Sequence, residues 1–135
     1  MDRKQQPKLK KSNYTGYGNM KEVRVILSPE AEEVYKKLNA EAENNKQSKM
    51  ILKAINHKIE LIKVNIHYGN PIAKNLIPEE YKQKYSATNL FRVELPAFWR
   101  MLYTLTNNEE IEIIAFVLDI INHPAYDDKF GYKGR

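Results

Sequence analysis

The chain contains no cysteine, which excludes a disulfide framework and any zinc site built on thiolates. It has only three histidines, His57, His67 and His123, and no pair has the His-x3-His spacing of a helical metal site, so no metal and no cofactor is expected. No apolar run approaches the roughly 18 residues that would mark a membrane span. The first twenty residues lack the apolar h-region of a secretory signal. With no thiol chemistry to support, a reducing cytoplasm suits the chain, and a cytoplasmic location is the expectation.

At 135 residues the default is one domain, long enough to bury a core without staples. The formal charge of +5 is unevenly placed. In residues 1–20, Arg3, Lys4, Lys8, Lys10 and Lys11 stand against Asp2 and give +4, while the other 17 basic and 16 acidic residues give +1. The segment "MDRKQQPKLKKSNYTGYGN" is polar and poor in aliphatics, so a disordered basic arm over 1–20 and a folded unit over 21–135 are expected. The arm reads as a solvated tail, as a grip on phosphates, or as sequence upstream of a start at Met20.

Val23, Val25 and Leu27 alternate with Glu22, Arg24 and Ile26, which predicts a short strand. Ser28 offers an N-cap, Pro29 fits the first helical position, and Glu30, Glu32 and Glu33 favour the positive end of a helix running to about residue 44. A second helix is predicted over 47–67. Its stripe of Met50, Ala54, Leu61 and Val64 with Ile51, Ile55, Ile59 and Ile62 is wide, and Gly69 is placed to end it. His57 and His67 read as bystanders. A connecting stretch follows, with one helical turn after Pro78. Three strands then come in succession, "LFRVEL", "WRMLYTL" and "IEIIAFVLDII", with Asn107-Asn108 marking the second turn.

The first hairpin can be read to the residue. Phe91, Val93 and Leu95 share one face of its first strand, and Trp99, Met101, Tyr103 and Leu105 share one face of its second. These faces coincide only across a connection of odd length such as Pro96-Ala97-Phe98. Leu95 then faces Trp99, Val93 faces Met101, Phe91 faces Tyr103, and Glu94 faces Arg100. The last strand is apolar on both faces and reads as central. The expected fold class is α+β: an N-terminal strand, two helices, and a three-stranded antiparallel meander. The helices lie on one face, and the other face displays Arg92, Glu94 and Arg100.

The order of elements, the "SPEA" entry to the first helix, Lys74-Asn75-Leu76, the "FWRMLY" strand and the "HPAYD" ending together resemble the RelE/ParE superfamily of type II toxins. The last of these resembles its HigB-like ribonuclease branch. The likeness runs from about Val23 to the C-terminus, and Trp99 to Tyr103 is its strongest piece. The resemblance implies a curved sheet backed by two helices and metal-independent cleavage of messenger RNA in the ribosomal A site. It also implies silencing by a cognate antitoxin. Arg100 falls on the arginine that contacts the scissile phosphate, and Arg92 on a basic position of the preceding strand. His123 and Tyr126 fall where the family keeps its C-terminal catalytic groups. Lys74, Lys82, Lys84 and Lys129 are further candidates for binding RNA, or else solvated surface charges. Two departures stand out. Glu94 occupies a position where RelE enzymes often carry a cation, and the His-x-x-Tyr-Asp spacing differs from that of RelE proper.

The chemistry can be stated without the family. RNA cleaves when its 2′-hydroxyl attacks the adjacent phosphorus, so a catalyst must remove that proton, protonate the leaving 5′-oxygen and steady the added negative charge. Histidine suits either proton task near neutral pH. Arginine keeps its charge and presents a planar fork of donors to phosphate oxygens. Tyr126 can stack a base or donate a hydrogen bond. Each also has a plainer role: Arg100 as the partner of Glu94 across the hairpin, His123 as a strand cap, and Tyr126 as a core aromatic. The expected function is that of a toxin with messenger RNA endoribonuclease activity, ribosome-dependent and acting through Arg100, His123 and Tyr126. The alternatives are a ParE-like, non-catalytic inhibitor of DNA gyrase, and an inactive relative held by its antitoxin.

Overall fold

The computed structural model describes residues 22–108 and 112–131, so the arm over 1–20 lies outside the described residues. Strand β1 (Glu22–Leu27) leads directly into α1 (Pro29–Glu41). Ser28 makes that junction: its hydroxyl accepts from the Ala31 N–H at 3.0 Å, and its own N–H donates to the Val117 carbonyl at 2.8 Å. The buried serine therefore starts the helix and fastens it to the sheet. Helix α2 (Lys46–Val64) is capped by Asn45, whose side chain accepts from the Ser48 N–H. The Ser48 hydroxyl in turn donates to Glu41 at 2.8 Å and ties the end of α1 to the start of α2.

Helix α2 is shorter and its apolar stripe narrower than its sequence predicts. It ends at Val64 rather than 67, with Ile51, Ile55 and Ile62 buried, while Met50 and Val64 stay largely exposed. Gly69 is not its cap. A Cβ at Gly69 would stand 3.0 Å from Tyr103 Cε1, 3.1 Å from the Arg92 carbonyl oxygen and 3.1 Å from Phe91 Cβ. Close approach is what this position requires. The Tyr103 hydroxyl holds the segment there, accepting from the Gly69 N–H at 3.0 Å and donating to the Ile66 carbonyl at 2.7 Å. Gly69→Ala is expected to destabilise the fold by about 1–3 kcal/mol, because two of the three neighbouring atoms are backbone or Cβ and cannot swing away. Urea unfolding checks this: the midpoint falls at unchanged slope, and an unchanged midpoint shows that the segment can shift at no cost.

The chain returns through β2 (Asn70–Pro71), a 3-10 turn (Lys74–Leu76) and α3 (Glu79–Tyr85) to β3 (Phe91–Leu95), β4 (Trp99–Asn108), β5 (Glu112–Ile121) and α4 (His123–Phe130). The strands form one sheet in the order β1-β5-β4-β3-β2. Strand β1 runs parallel to β5, and the other neighbours are antiparallel. The β3–β4 register is the one read from side-chain parity, with Leu95 opposite Trp99 and Glu94 opposite Arg100. Strand β4 holds the middle of the sheet. Strand β5 lies between β4 and β1, an interior position one place from the middle, as its sequence predicts. Asn107 and Asn108 belong to β4, opposite Ile113 and Glu112; the turn itself lies outside the described residues. A bulge accommodates Leu118, since Leu102 pairs with Asp119 and Tyr103 with Val117. Val117 and Ile120 can therefore share one face although they are three residues apart.

That face carries the main core: Ala31 and Leu38 of α1 and Ile51, Ile55 and Ile62 of α2 close on Phe91, Val93, Leu95, Met101, Tyr103, Val117 and Ile120. The expectation of helices on one face only is corrected here. Helices α3 and α4 cover part of the second face, where Ile77, Tyr81, Ala87, Leu90, Leu102 and Tyr126 form a second cluster. The physical reason is Leu102, which pleating turns away from the α1–α2 core and which must be covered on the other side.

Helix α1 is tied to α3 at Glu30, whose carboxylate accepts from Lys84 Nζ at 2.6 Å and from the Tyr85 hydroxyl. These two bonds, Lys84 first, lower the Glu30 pKa from 4.5 to about 2. A carboxyl whose folded pKa is depressed adds stability above its unfolded pKa, and that stability is lost as pH falls through the folded value. Glu30→Gln should therefore unfold at lower urea than the parent at neutral pH. The gap should close between pH 4.5 and about 2, and be small in high salt because the site is exposed. A gap that persists at the acid end would assign the effect to something other than ionisation.

Candidate functional site

On the second face, beside the α3–α4 cover, the β3–β4 hairpin meets α4. The polypeptide enters α4 with no intervening loop: the Asn122 side chain accepts from the Ala125 N–H at 3.0 Å, Pro124 fits the first turn, and Gly131 at φ 77° closes the helix. The "HPAYD" segment is thus helical rather than a strand's end. His123 and Tyr126, three residues apart, share a side of that helix, and Asp127 follows one turn after His123.

Tyr126 is buried, at 3% exposure, under two arginines. Arg92 Nη1 donates to its hydroxyl at 3.2 Å, and the Arg100 guanidinium lies 5.1 Å from the centre of its ring. On its other side the ring stacks on Phe130 at 4.4 Å. Glu94 bridges the two cations, with one oxygen 3.2 Å from Arg92 Nε and the other 3.3 Å from Arg100 Nε. Arg100 Nη1 donates to the Phe98 carbonyl at 3.1 Å. The Phe98 ring sits 6.0 Å from that of His123, and His123 Nε2 lies 3.3 Å from the Asp127 carboxylate. Arg92, Tyr126, Arg100, Phe98 and His123 therefore form one continuous row drawn from β3, α4, β4 and the turn between the strands. Two guanidinium charges face one bridging carboxylate, so Arg92, Glu94 and Arg100 together keep one net positive charge while the arginines are held in place.

The sequence-predicted residues divide. Arg92, Arg100 and Tyr126 are brought together, with His123 reached through Phe98. Lys129 is not an open cation: its side chain is 19% exposed, 2.8 Å from Glu80 and 3.6 Å from Asp119, and over the ring of Tyr81. The Tyr81 hydroxyl also donates to Asp119 at 2.8 Å. Burial raises the Asp119 carboxyl pKa, against the lowering effects of Tyr81 and Lys129, and burial raises that of Tyr81, with Asp119 reinforcing it. This network joins α4 to α3 and β5 and so sets where His123 and Tyr126 stand. Lys84 is held by Glu30, Lys82 lies 3.9 Å from Glu79, and Lys74 is exposed on its 3-10 turn. His67 lies 5.7 Å from Phe91, and His57 is exposed on α2; neither joins the row. Sequence reading missed two members of the arrangement. Asp127 becomes a partner of His123 only once α4 is recognised as a helix, for which Asn122, Pro124 and Gly131 were the signals. Phe98 was read as part of the turn and of the "FWRMLY" strand, with no place in the site.

No family model, curated protein or solved structure matches the chain. The class that the fold and site define is therefore an α+β protein with an arginine–tyrosine cluster beside a carboxylate-paired histidine. No helix of the described residues is long and apolar enough to cross a membrane.

Proposed function

We propose that this chain is the toxin of a type II toxin–antitoxin pair, a RelE-like endoribonuclease that cuts messenger RNA on the ribosome without metal. The observation that carries the reading is the convergence of Arg92, Arg100 and Tyr126, which lie on three different elements and which the resemblance singles out. Arg100 holds the scissile phosphate through the donors not used by Phe98 and Glu94. Arg92 adds charge and keeps the Tyr126 hydroxyl in place. His123, oriented by Asp127, moves the proton. Tyr126 acts from beneath the arginines as their support, since its burial leaves little ring for a base. Lys74 and Lys82 stay as candidates for contacts with RNA or ribosome, while Lys84 and Lys129 serve the fold. An acidic antitoxin over the arginine face is the expected partner.

The second reading, a ParE-like gyrase inhibitor, is favoured by one feature: Glu94 offsets part of the charge a phosphate would meet. Expression of the chain in cells, with mapping of messenger RNA ends and of DNA breaks, separates the two. New ends within translated messages support the nuclease; DNA breaks with intact messages support the gyrase inhibitor.

A further inference from the structure

The turn between β3 and β4 places two residues other than glycine, Ala97 and Phe98, at φ 59° and 65°. The Trp99 N–H donates to the Pro96 carbonyl across it. Asparagine and glycine adopt this left-handed pair with the least strain. Strain of this kind persists where the surrounding structure enforces it and clusters at functional sites, and here the side chain that bears it, Phe98, is 73% exposed. The ring is thus held out in water on an unfavourable backbone, and its surroundings are specific. The Phe98 carbonyl accepts from Arg100 Nη1 at 3.1 Å, which ties the guanidinium to the backbone that carries the ring. The His123 ring lies 6.0 Å away, tilted by 50°.

We infer that Phe98 is the platform on which an unpaired base of single-stranded RNA stacks, next to the phosphate held by Arg100. This rests on the ribonuclease reading above and adds its base-binding residue. A nucleotide alternates an anionic phosphate with a flat apolar base, and the row offers a guanidinium and an exposed aromatic face coupled by one hydrogen bond. Every base has such a face, so the contact tolerates any sequence and serves to hold the strand. Tyr126 cannot do this, being covered by both arginines and by Phe130.

The test uses a message in the A site of programmed ribosomes. Its A-site codon carries 2′-O-methyl groups, which prevent cleavage, and one 2-aminopurine, whose fluorescence falls on stacking. Phe98→Gly relieves the left-handed strain while removing the ring, so its melting temperature should equal or exceed the parent's. Its affinity for the probe should fall about 5- to 150-fold and the fluorescence change should vanish. Phe98→Trp should keep both. A Phe98→Gly variant that binds and quenches like the parent overturns the assignment while leaving the nuclease reading intact. One that loses binding together with a large part of its melting temperature also overturns it, in favour of a structural role. A parent that does not bind the probe overturns both readings.

Discussion

Arg100→Ala should cut messages on programmed ribosomes about 10²–10³-fold more slowly than the parent in single turnover, a loss of about 3–4 kcal/mol of transition-state stabilisation. Attack by the 2′-hydroxyl places an extra negative charge on the phosphoryl oxygens, and a fixed cation there stabilises the transition state more than the ground state. Arg100 suits that task because its position is set before substrate arrives, by the Phe98 carbonyl, by Glu94 and by the Tyr126 ring. Arg100→Lys should recover only part of the loss, since an ammonium keeps the charge but not the planar fork. The fold should survive, because Arg92 remains on Tyr126 and on Glu94. Circular dichroism and urea unfolding provide the control. A well-folded Arg100→Ala protein that cleaves at the parent's rate removes Arg100 from the site.

His123→Gln should lose about 10²–10⁴-fold in the same assay, the usual contribution of a positioned proton carrier. Glutamine keeps a polar group of similar reach but does not exchange protons near neutral pH. The side chain is half-exposed in the first turn of α4 and its charge partner is the neighbouring Asp127, so stability should change little. Asp127→Asn then separates orientation from proton transfer. It should lower the rate less than His123→Gln does, because the imidazole stays but the carboxylate that orients it is gone. Equal rates for parent and His123→Gln at all pH values would leave His123 as a helix residue only.

How much of this was legible depended on whether neighbours in sequence were also neighbours in space. The β3–β4 register follows from side-chain parity and an odd connection, both local, and it is reproduced pair by pair. The capping role of Ser28 was legible for the same reason. The second apolar cluster was not, because Ile77, Leu90 and Leu102 look unremarkable until the sheet brings them together. Gly69 looked like a helix terminator, yet its constraint comes from Tyr103, 34 residues on. The partner of Lys129 was hidden in the same way. A charge run shows sign but not partner, and Lys129 finds Glu80 from 49 residues away. Within α4 the capping signals were all present; a short helix carrying a familiar-looking His-x-x-Tyr-Asp string was read as a strand's end instead.

The parallel pairing of β1 with β5 has a consequence for biosynthesis. Strand β1 is the first described element to leave the ribosome, and its partner is made about ninety residues later, Glu22 pairing with Glu112. The N-terminal edge therefore waits unpaired while the helices and the β3–β4 hairpin, whose contacts are local, can already form. Helix α4, which carries His123 and Tyr126, is translated later still. The row of Arg92, Arg100, Tyr126 and His123 is therefore completed only after every strand of the sheet has been made.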